Sequence, residues 1–273
     1  MSVLQLAWDL ADSWPVEEVS IAVLHRGETH THGDIQRVQR IASPSKPLSA
    51  YAVLVAIEEG SVHLDDAVGQ TGCTVRHLLA HAGGYPFDGA LPVGKPGAKR
   101  IYSNTGFEML GQHVEHSTGI SFVEYLDDAV FAPLGMHNSS LQGSCAKDVY
   151  STAHDLMLFL AEVNSPTLIT RDTLNQAITP VFPELSGIVP GVGSFDPCPW
   201  GLGFEIRGQK SPHWTGTRNS ASTFGHFGGV GTFMWIDPVA DVSCVMLAER
   251  EFEEWGMEYW PAFNDSVLSC LGR

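Results

Sequence analysis

Basic residues are scarce in this chain of 273 residues. Fifteen Lys and Arg side chains stand against thirty-one Asp and Glu, which gives a net charge of −16 at pH 7. A surface this acidic repels the phosphates of nucleic acids and the anionic headgroups of membranes. The sequence therefore predicts neither a nucleic-acid partner nor a membrane partner, and a small-molecule substrate is expected instead.

Long hydrophobic runs are also missing. No stretch approaches the ~18 consecutive apolar residues of a membrane span. The first nine residues lack the basic segment that opens a secretory signal, and their apolar stretch breaks at Asp9. We therefore expect a soluble, cytoplasmic protein, and the sequence contains no pattern that specifies an oligomeric state.

Cysteine is sparse as well. The five cysteines are odd in number, widely spaced and free of any C-x-x-C pair. This spacing favours neither a disulfide framework nor a thiolate zinc site. Reduced and mostly buried thiols are expected.

Apolar periodicity divides the chain into strand-rich ends and a helical middle. Strand patterns occupy residues 20–24, 29–32, 38–42, 203–207, 223–227, 232–236 and 242–247. Helical spacing recurs in 46–59, 75–81, 107–118, 122–131, 153–163 and 171–178, after a first helix that carries Leu4, Ala7, Trp8 and Ala11 on one face. Residues 187–199 are punctuated by Gly and Pro, and a closing helix over 258–271 is interrupted early by Pro261.

These elements predict an α+β fold in one domain over residues 1–273. A mainly antiparallel sheet is built from both termini, in a lobe of about residues 1–42 and 200–273. It packs against an inserted, mainly helical lobe of about residues 43–199. The cleft between the two lobes is the expected binding site.

Ser43 and Lys46 form an S-x-x-K pattern at the start of the predicted helix 46–59. Residues i and i+3 share one face of a helical turn, so the hydroxyl and the ammonium can meet. A second copy, Ser144 with Lys147, lies in a Gly-flanked loop without such a helix. The field of a helix N-terminus favours a nucleophile at Ser43. On the local pattern alone, a helix-capping role for Ser43 stays open.

The twelve histidines leave a metal site open as an alternative. His77 and His81 are four residues apart, and His113 and His116 are three apart, so each pair can share a helix face. The first pair lacks the glutamate of H-E-x-x-H, and neither pair has an evident third ligand. The serine pattern is therefore favoured over a metal-dependent hydrolase, and no metal or other cofactor is predicted.

Ordered motifs give the sequence a family resemblance. Residues 40–47 resemble a nucleophile segment, 58–66 the segment after it, and 74–84 a further signature. Next along the chain come Tyr102-Ser103-Asn104, 133–136, His226-Phe227-Gly228 and 235–238. In this order the motifs resemble the serine β-lactamase-like superfamily, in particular the branch of class C β-lactamases, DD-carboxypeptidases and related esterases. The resemblance spans about residues 19–249.

The resemblance implies a role for each motif residue. Ser43 would attack a carbonyl and form an acyl-enzyme, with Lys46 beside it to help remove the proton. Tyr102 resembles the general base of the family, and nearby cations would have to stabilise its phenolate. Asn104 would position substrate, although an Asn at a helix start can also be an N-cap.

The third motif implies an oxyanion hole and a change of substrate. The two donors would be the backbone N–H groups of Ser43 and Gly229, and Gly228 and Gly229 would leave room for a close substrate. The lysine of the usual K-T-G is His226 here, and its hydroxyl residue is Phe227. The anchor for a substrate carboxylate is thereby weakened. The resemblance then implies an esterase-like or aminopeptidase-like hydrolase of a small ester or amide.

The sequence leaves open the role of one residue and two alternative functions. Arg218, in a polar and aromatic stretch before the third motif, is a candidate for binding an anionic substrate group or a solvated loop residue. A β-lactamase or DD-carboxypeptidase is one alternative function. A non-catalytic binding module on the same fold is another, although Ser43, Lys46, Tyr102 and Asn104 are all present.

Overall fold

The computed structural model describes residues 2–273. Its helices are α1 Gln5–Asp12, α2 Ser45–Glu58, α3 Val75–Leu79, α4 Asn104–Thr118, α5 Phe122–Leu126, α6 Ala132–Leu134, α7 Ala153–Asn164, α8 Arg171–Ala177 and α9 Glu254–Cys270, with a π-helical turn Asp127–Phe131 between α5 and α6. Its strands are β1 Val19–His25, β2 Glu28–His32, β3 Gln39–Arg40, β4 Ser140–Leu141, β5 Val149–Ser151, β6 Gly187–Val189, β7 Gly193–Phe195, β8 Glu205–Ile206, β9 Phe224–Gly228, β10 Thr232–Asp237 and β11 Val242–Ala248. Within this part of the chain, no helix is long and apolar enough to cross a lipid bilayer.

The main sheet joins the two ends of the chain. Its strand order is β2-β1-β11-β10-β9-β8, and every neighbouring pair is antiparallel. The N-terminal hairpin pairs through β1 with β11, where Val19 lies opposite Ala248. This confirms the predicted α+β fold with a mainly antiparallel sheet that both termini build.

Both faces of the sheet are covered, which explains why β10 and β11 are buried along their whole length. Alternate side chains enter two different cores. Met234 and Val245 join the core of the helical lobe, whereas Phe233 and Cys244 join a second core with α1 and α9. The sheet is thus the middle layer between the helical lobe and a pair formed by the first and last helices.

The structure corrects two local predictions, for strand 38–42 and for the closing helix, and adds one hairpin. The predicted strand 38–42 is shortened to β3, which pairs with β5 in a small three-stranded sheet apart from the main one. The Gly- and Pro-rich segment 187–199 contains the hairpin β6–β7. The closing helix begins at Glu254 and continues through Pro261, because Trp255 and Trp260 are buried on its inner face and hold that face against the second core.

Candidate active site

Ser43 lies at the junction between β3 and α2, where the chain turns sharply. Ala42 has a φ of 55°, in the left-handed region that non-glycine residues seldom adopt. The Ala42 and Ser43 carbonyls accept hydrogen bonds of 2.9 Å from the N–H groups of Ser45 and Lys46, so α2 begins directly behind Ser43. The helix N-cap is Pro44, and no described side chain caps it. The capping interpretation of Ser43 is therefore wrong.

Lys46 lies in the first turn of α2, and its side chain is fully buried. Its Nζ is 2.7 Å from Asn104 Oδ1, 3.0 Å from the Ala146 carbonyl oxygen and 3.5 Å from Ser43 Oγ. Burial lowers the pKa of Lys46 from 10.5 to about 7. Amine and ammonium thus coexist near neutral pH, which suits a group that accepts a proton and returns it.

Asn104 is the first residue of α4, and its side-chain amide is held at both ends. Oδ1 accepts a hydrogen bond from Lys46, and Nδ2 donates one of 3.1 Å to Asp88 Oδ1. The cap of α4 is Ser103, whose Oγ accepts from the Gly106 N–H at 3.0 Å. Asn104 is therefore not the N-cap, and its amide is directed toward Lys46.

Tyr102 and His226 face each other across the site. The Tyr102 hydroxyl is 3.4 Å from His226 Nε2, and His226 Nδ1 is 2.7 Å from the Phe227 carbonyl oxygen. A carbonyl only accepts, so Nδ1 carries the ring proton and Nε2 accepts from the Tyr102 hydroxyl. Burial, followed by the charge of Lys46, lowers the pKa of His226 to about 3. His226 is therefore a neutral acceptor at physiological pH and not a cation.

The Tyr102 phenol is held in its neutral form. Burial raises the pKa of Tyr102 above its ordinary value of 10, and the hydrogen bond with Ser43 opposes this only in part. The phenol therefore keeps its proton, which it donates to His226 Nε2. Between the two candidate bases, Lys46 is the one that is deprotonated near neutral pH.

Gly228 ends β9 beside the nucleophile segment, and Gly229 follows it directly. A Cβ at Gly228 would lie 2.5 Å from the Ile41 carbonyl oxygen, so the chain itself excludes a side chain there. A Cβ at Gly229 would meet no described atom within 4 Å. The chain itself thus excludes a side chain at Gly228, whereas at Gly229 the described residues leave the space free, and a close substrate there stays a prediction. The Gly229 carbonyl accepts from the Phe252 N–H at 2.6 Å, which fixes the peptide beside the expected oxyanion donor.

A cavity of about 320 Å³ opens in front of these groups. Ser43, Tyr102, Asn104, His226 and Gly229 line it. Most of the remaining wall is apolar and aromatic, and consists of Ala42, Phe87, Val189, Pro190, Trp200, Phe227, Val230 and Phe252. The cavity can therefore hold a small substrate with an apolar portion directly over Ser43 Oγ.

Comparison with known proteins accounts for this arrangement. The Beta-lactamase family model matches residues 15–268. The chain belongs to the β-lactamase family. It is 44% identical to a β-lactamase of Mycobacterium bovis, whose crystal structure superposes with a TM-score of 0.96 over 97% of this chain and 99% of that one. The D-amino acid amidase of Ochrobactrum anthropi shares the fold at 19% identity, with a TM-score of 0.78 over 99% and 96% of the two chains.

A curated relative in the β-lactamase family is longer than this chain. It is a protein of Escherichia coli named as a D-alanyl-D-alanine carboxypeptidase, and it is 23% identical over 73% of this chain. The alignment covers 66% of that relative, so the chain spans just under two thirds of its length.

The serine of the second S-x-x-K copy, Ser144, does not face the cavity. Ser144 Oγ donates to Glu108 Oε1 at 2.7 Å, and Ser144 is not among the described residues that line the cavity. The loop contributes instead through the Ala146 carbonyl, which accepts from Lys46, and through Lys147, which lines the cavity. Of the two candidate serines, Ser43 is thus the one that faces the cavity.

Arg218 does not reach this cavity. Its guanidinium donates through Nε to the backbone oxygen of Arg273 at 3.0 Å, and its own N–H donates to Asp265 Oδ1. These contacts place it on the surface beside the C-terminal end of α9, outside the lining formed by the described residues. Among the predicted site residues, Arg218 is the one that the structure separates from the others.

The histidine pairs also have other partners. His77 Nδ1 is 2.9 Å from Thr74 Oγ1, whereas His81 Nδ1 accepts from the Ser103 N–H. His113 Nε2 is 3.2 Å from Asp66. Within residues 2–273, no three His, Cys, Asp or Glu side chains are grouped so that they could hold a metal ion.

Three contributors to the site were missed in the sequence. Ala146 acts through its backbone carbonyl, which carries no side-chain signal. Asp88 lies in a loop between the motifs, and Trp200 stands edge-on to Tyr102 and His226 with ring centres 5.9 and 5.8 Å away. Their positions depend on how distant segments meet, which no local pattern records.

Proposed function

We propose that the protein is a serine hydrolase that cleaves a small ester or amide through an acyl-enzyme on Ser43. The observation that carries the proposal is the buried Lys46 amine, 3.5 Å from Ser43 Oγ and with a pKa lowered to about 7. Two fixed acceptors, Asn104 Oδ1 and the Ala146 carbonyl, bind two N–H groups of the neutral amine. Its lone pair is then left for the Ser43 hydroxyl.

Acylation follows from this geometry. Lys46 takes the proton of the Ser43 hydroxyl while Oγ attacks the substrate carbonyl carbon. The N–H groups of Ser43 and Gly229 stabilise the oxyanion. When the intermediate collapses, the bond to the leaving group breaks and the Lys46 proton passes to that group. Water then attacks the acyl-enzyme, gives its proton to Lys46 and releases the acid, with the proton returned to Ser43 Oγ.

Tyr102 acts in this scheme as a neutral hydrogen-bonding group. Because His226 Nε2 accepts the phenolic proton, the lone pairs of the Tyr102 oxygen face the reacting groups. They can accept a hydrogen bond from the protonated leaving group as it departs. This role replaces that of an anionic base, which the raised pKa of Tyr102 disfavours.

The cavity supports a neutral, partly apolar substrate. Both cations in its lining are paired with carboxylates: Arg40 with Asp148 at 3.1 Å and Lys147 with Asp88 at 3.9 Å. His226 is neutral where the K-T-G lysine of relatives would be charged. A substrate carboxylate therefore meets no unpaired cation among the described lining residues. Esterase-like or amidase-like activity is favoured over that of an efficient β-lactamase or DD-carboxypeptidase.

One comparison tests the proposal. A neutral p-nitrophenyl ester of a short acid and a chromogenic cephalosporin are assayed on the same preparation. We expect the ester to have the higher kcat/KM by ~30-fold. The reason is that the cephalosporin carboxylate lacks a charge-assisted contact, which is worth about 2 kcal/mol. Ser43→Ala should abolish ester turnover and labelling by a fluorophosphonate, whereas Ser144→Ala should retain both. A cephalosporin kcat/KM of ~10⁵ M⁻¹s⁻¹ or more, or turnover by Ser43→Ala, would contradict the proposal.

A further inference from the structure

His81 is a buried histidine that the proposed reaction does not use. It is 2% exposed, and its φ of 53° is left-handed. Its carbonyl oxygen accepts from the Ile101 N–H at 2.8 Å, and its ring Nδ1 accepts from the Ser103 N–H at 3.1 Å. These two N–H groups belong to the residues immediately before and after Tyr102. One residue therefore binds the backbone on both sides of the catalytic phenol.

The His81 ring also packs directly on the Tyr102 ring. The two ring centres are 4.5 Å apart with an interplanar angle of 34°, and the rings of Phe107 and Trp200 lie 5.2 and 4.9 Å away. This enclosure leaves Tyr102 little freedom to rotate about its side-chain bonds. A small shift of His81 would be passed to the phenol oxygen.

Hydrogen bonding fixes the ionisation state of His81. Nδ1 accepts an N–H, so the ring proton is on Nε2, and Nε2 has no hydrogen-bond partner among residues 2–273. Protonation of Nδ1 would remove the bond to Ser103. Burial, together with the charge of Lys46, holds the pKa of His81 well below its usual value. The contact with Ser103 thus persists through the working pH range.

We propose that His81 is a positioning residue that holds the Tyr102 hydroxyl between Ser43 Oγ and His226 Nε2. The inference rests on the proposed function, because it gives His81 an effect on turnover only through Tyr102. The proposal concerns His81 and not His77 of the same histidine pair. The ring of His77 stacks on Phe182 and is hydrogen-bonded to Thr74.

Substitution at position 81 separates positioning from folding. His81→Asn keeps a side-chain acceptor, and Asn tolerates the left-handed backbone, but it removes the ring that packs on Tyr102. His81→Leu removes the acceptor as well. The readout is the second-order rate at which a fluorophosphonate labels Ser43, normalised to the folded fraction from thermal unfolding. We expect labelling to slow ~10-fold in His81→Asn and ~100-fold in His81→Leu, since a 1 Å displacement near reacting groups costs about that much.

A double-mutant cycle makes the test specific. If His81 acts through the phenol, neither substitution slows labelling further in a Tyr102→Phe background. His77→Asn is the matched control and should label at the wild-type rate. Should His81→Leu fail to fold, the cycle is completed with His81→Asn.

The outcomes separate this inference from the function on which it rests. Absence of Ser43 labelling in the wild type would overturn the proposed function, and this inference with it. Normal wild-type labelling that is unchanged in both His81 variants, or slowed equally with and without the Tyr102 hydroxyl, would overturn the positioning role alone.

Discussion

The burial of Lys46 connects its local contacts to the pH behaviour of the protein. An ammonium removed from water is destabilised relative to the amine, so the pKa of Lys46 falls to about 7 in the folded chain, against 10.5 in the unfolded one. Between these two values the folded state binds fewer protons. Its stability contribution from Lys46 therefore rises with pH across this window and is smallest below pH 7. The base proposed for the reaction therefore destabilises the folded state at acidic pH.

The same shift predicts the pH dependence of acylation. Below pH 7 the ammonium cannot take the Ser43 proton, so kcat/KM for a neutral ester should rise with pH, with its midpoint near pH 7, and level off above pH 8. His226 should contribute nothing to this rising limb, because the pKa of His226 is about 3. The measurement is kcat/KM for a p-nitrophenyl ester between pH 5 and 9, corrected for spontaneous hydrolysis.

Lys46→Arg is the matched variant for this profile. A guanidinium stays protonated throughout this range, so the variant should lose activity by ~10³-fold at pH 8. Ser144→Ala should keep the wild-type profile. A rate that is independent of pH from 5 to 9, or one that still rises tenfold per pH unit at pH 9, would show that Lys46 is not the base.

At the scale of elements, the site depends on how closely β9 approaches the segment before α2. Gly228 allows this approach because a Cβ would lie 2.5 Å from the Ile41 carbonyl oxygen. That oxygen also accepts a hydrogen bond of 2.6 Å from Thr232 Oγ1 of β10. The strand that carries His226 and leads into Gly229 is thereby held against the segment that carries Ser43.

Gly228→Ala is therefore expected to separate β9 from the nucleophile segment. The added methyl group meets the Thr232 hydroxyl and the Ile41 backbone, and backbone cannot move aside like a flexible side chain, so overpacking should destabilise the fold by about 1–3 kcal/mol. The displaced Gly229 N–H should also reduce kcat by ~100-fold. Both effects are measured, by urea unfolding and by ester hydrolysis at saturating substrate.

Gly229→Ala is the control for that substitution. Its Cβ would meet no described atom within 4 Å, and its backbone N–H is retained. We expect near wild-type stability in urea unfolding, because the added methyl group displaces no neighbouring atom. If Gly228→Ala and Gly229→Ala lowered the free energy of unfolding equally, the close approach at Gly228 would not be the cause of the destabilisation.

Elements with local signals were the ones that the sequence could predict. The main helices and the strands of the six-stranded sheet follow from periodicity, and the S-x-x-K and Y-x-N motifs identified side chains that do meet around Lys46. The hairpin β6–β7 and the short strands β4 and β5 are too brief for a periodic pattern to emerge. For Arg218 the sequence left two interpretations open, and the structure supports the surface loop residue, because the contacts of a loop are decided by tertiary packing.

A buried network of charged side chains could likewise not be predicted from the sequence. Glu205 accepts from Lys210 at 2.9 Å and from the Trp214 indole at 2.7 Å, and it lies 3.1 Å from His213 Nε2. All four side chains are buried, and Glu205 pairs across β8 and β9 with Gly225, next to His226. In a sequence, charged residues within a Gly-rich stretch are typical of a solvent-exposed loop. Only the fold shows that they pair with one another beneath the site.

The whole molecule adds a field that local contacts do not describe. Its net charge is −16, and this charge surrounds a cavity whose two cations are already paired. A protein of this charge lowers the local concentration of anions and raises that of cations at low ionic strength. The field therefore acts in the same direction as the neutral His226, and both disfavour anionic substrates.

The effect of this electrostatic field can be measured as the salt dependence of kcat/KM for three substrates of different charge. Raising ionic strength from about 10 mM to about 200 mM shortens the screening length from ~30 Å to under ~10 Å. We expect kcat/KM to rise several-fold for an anionic cephalosporin or carboxylate-bearing ester, to fall for a choline-type cationic ester and to stay constant for a neutral ester. The neutral ester controls for general salt effects on the enzyme. If the anionic substrate were slowed by salt, it would be meeting a local cation that outweighs the field of the whole chain, and the preference for neutral substrates would have to be abandoned.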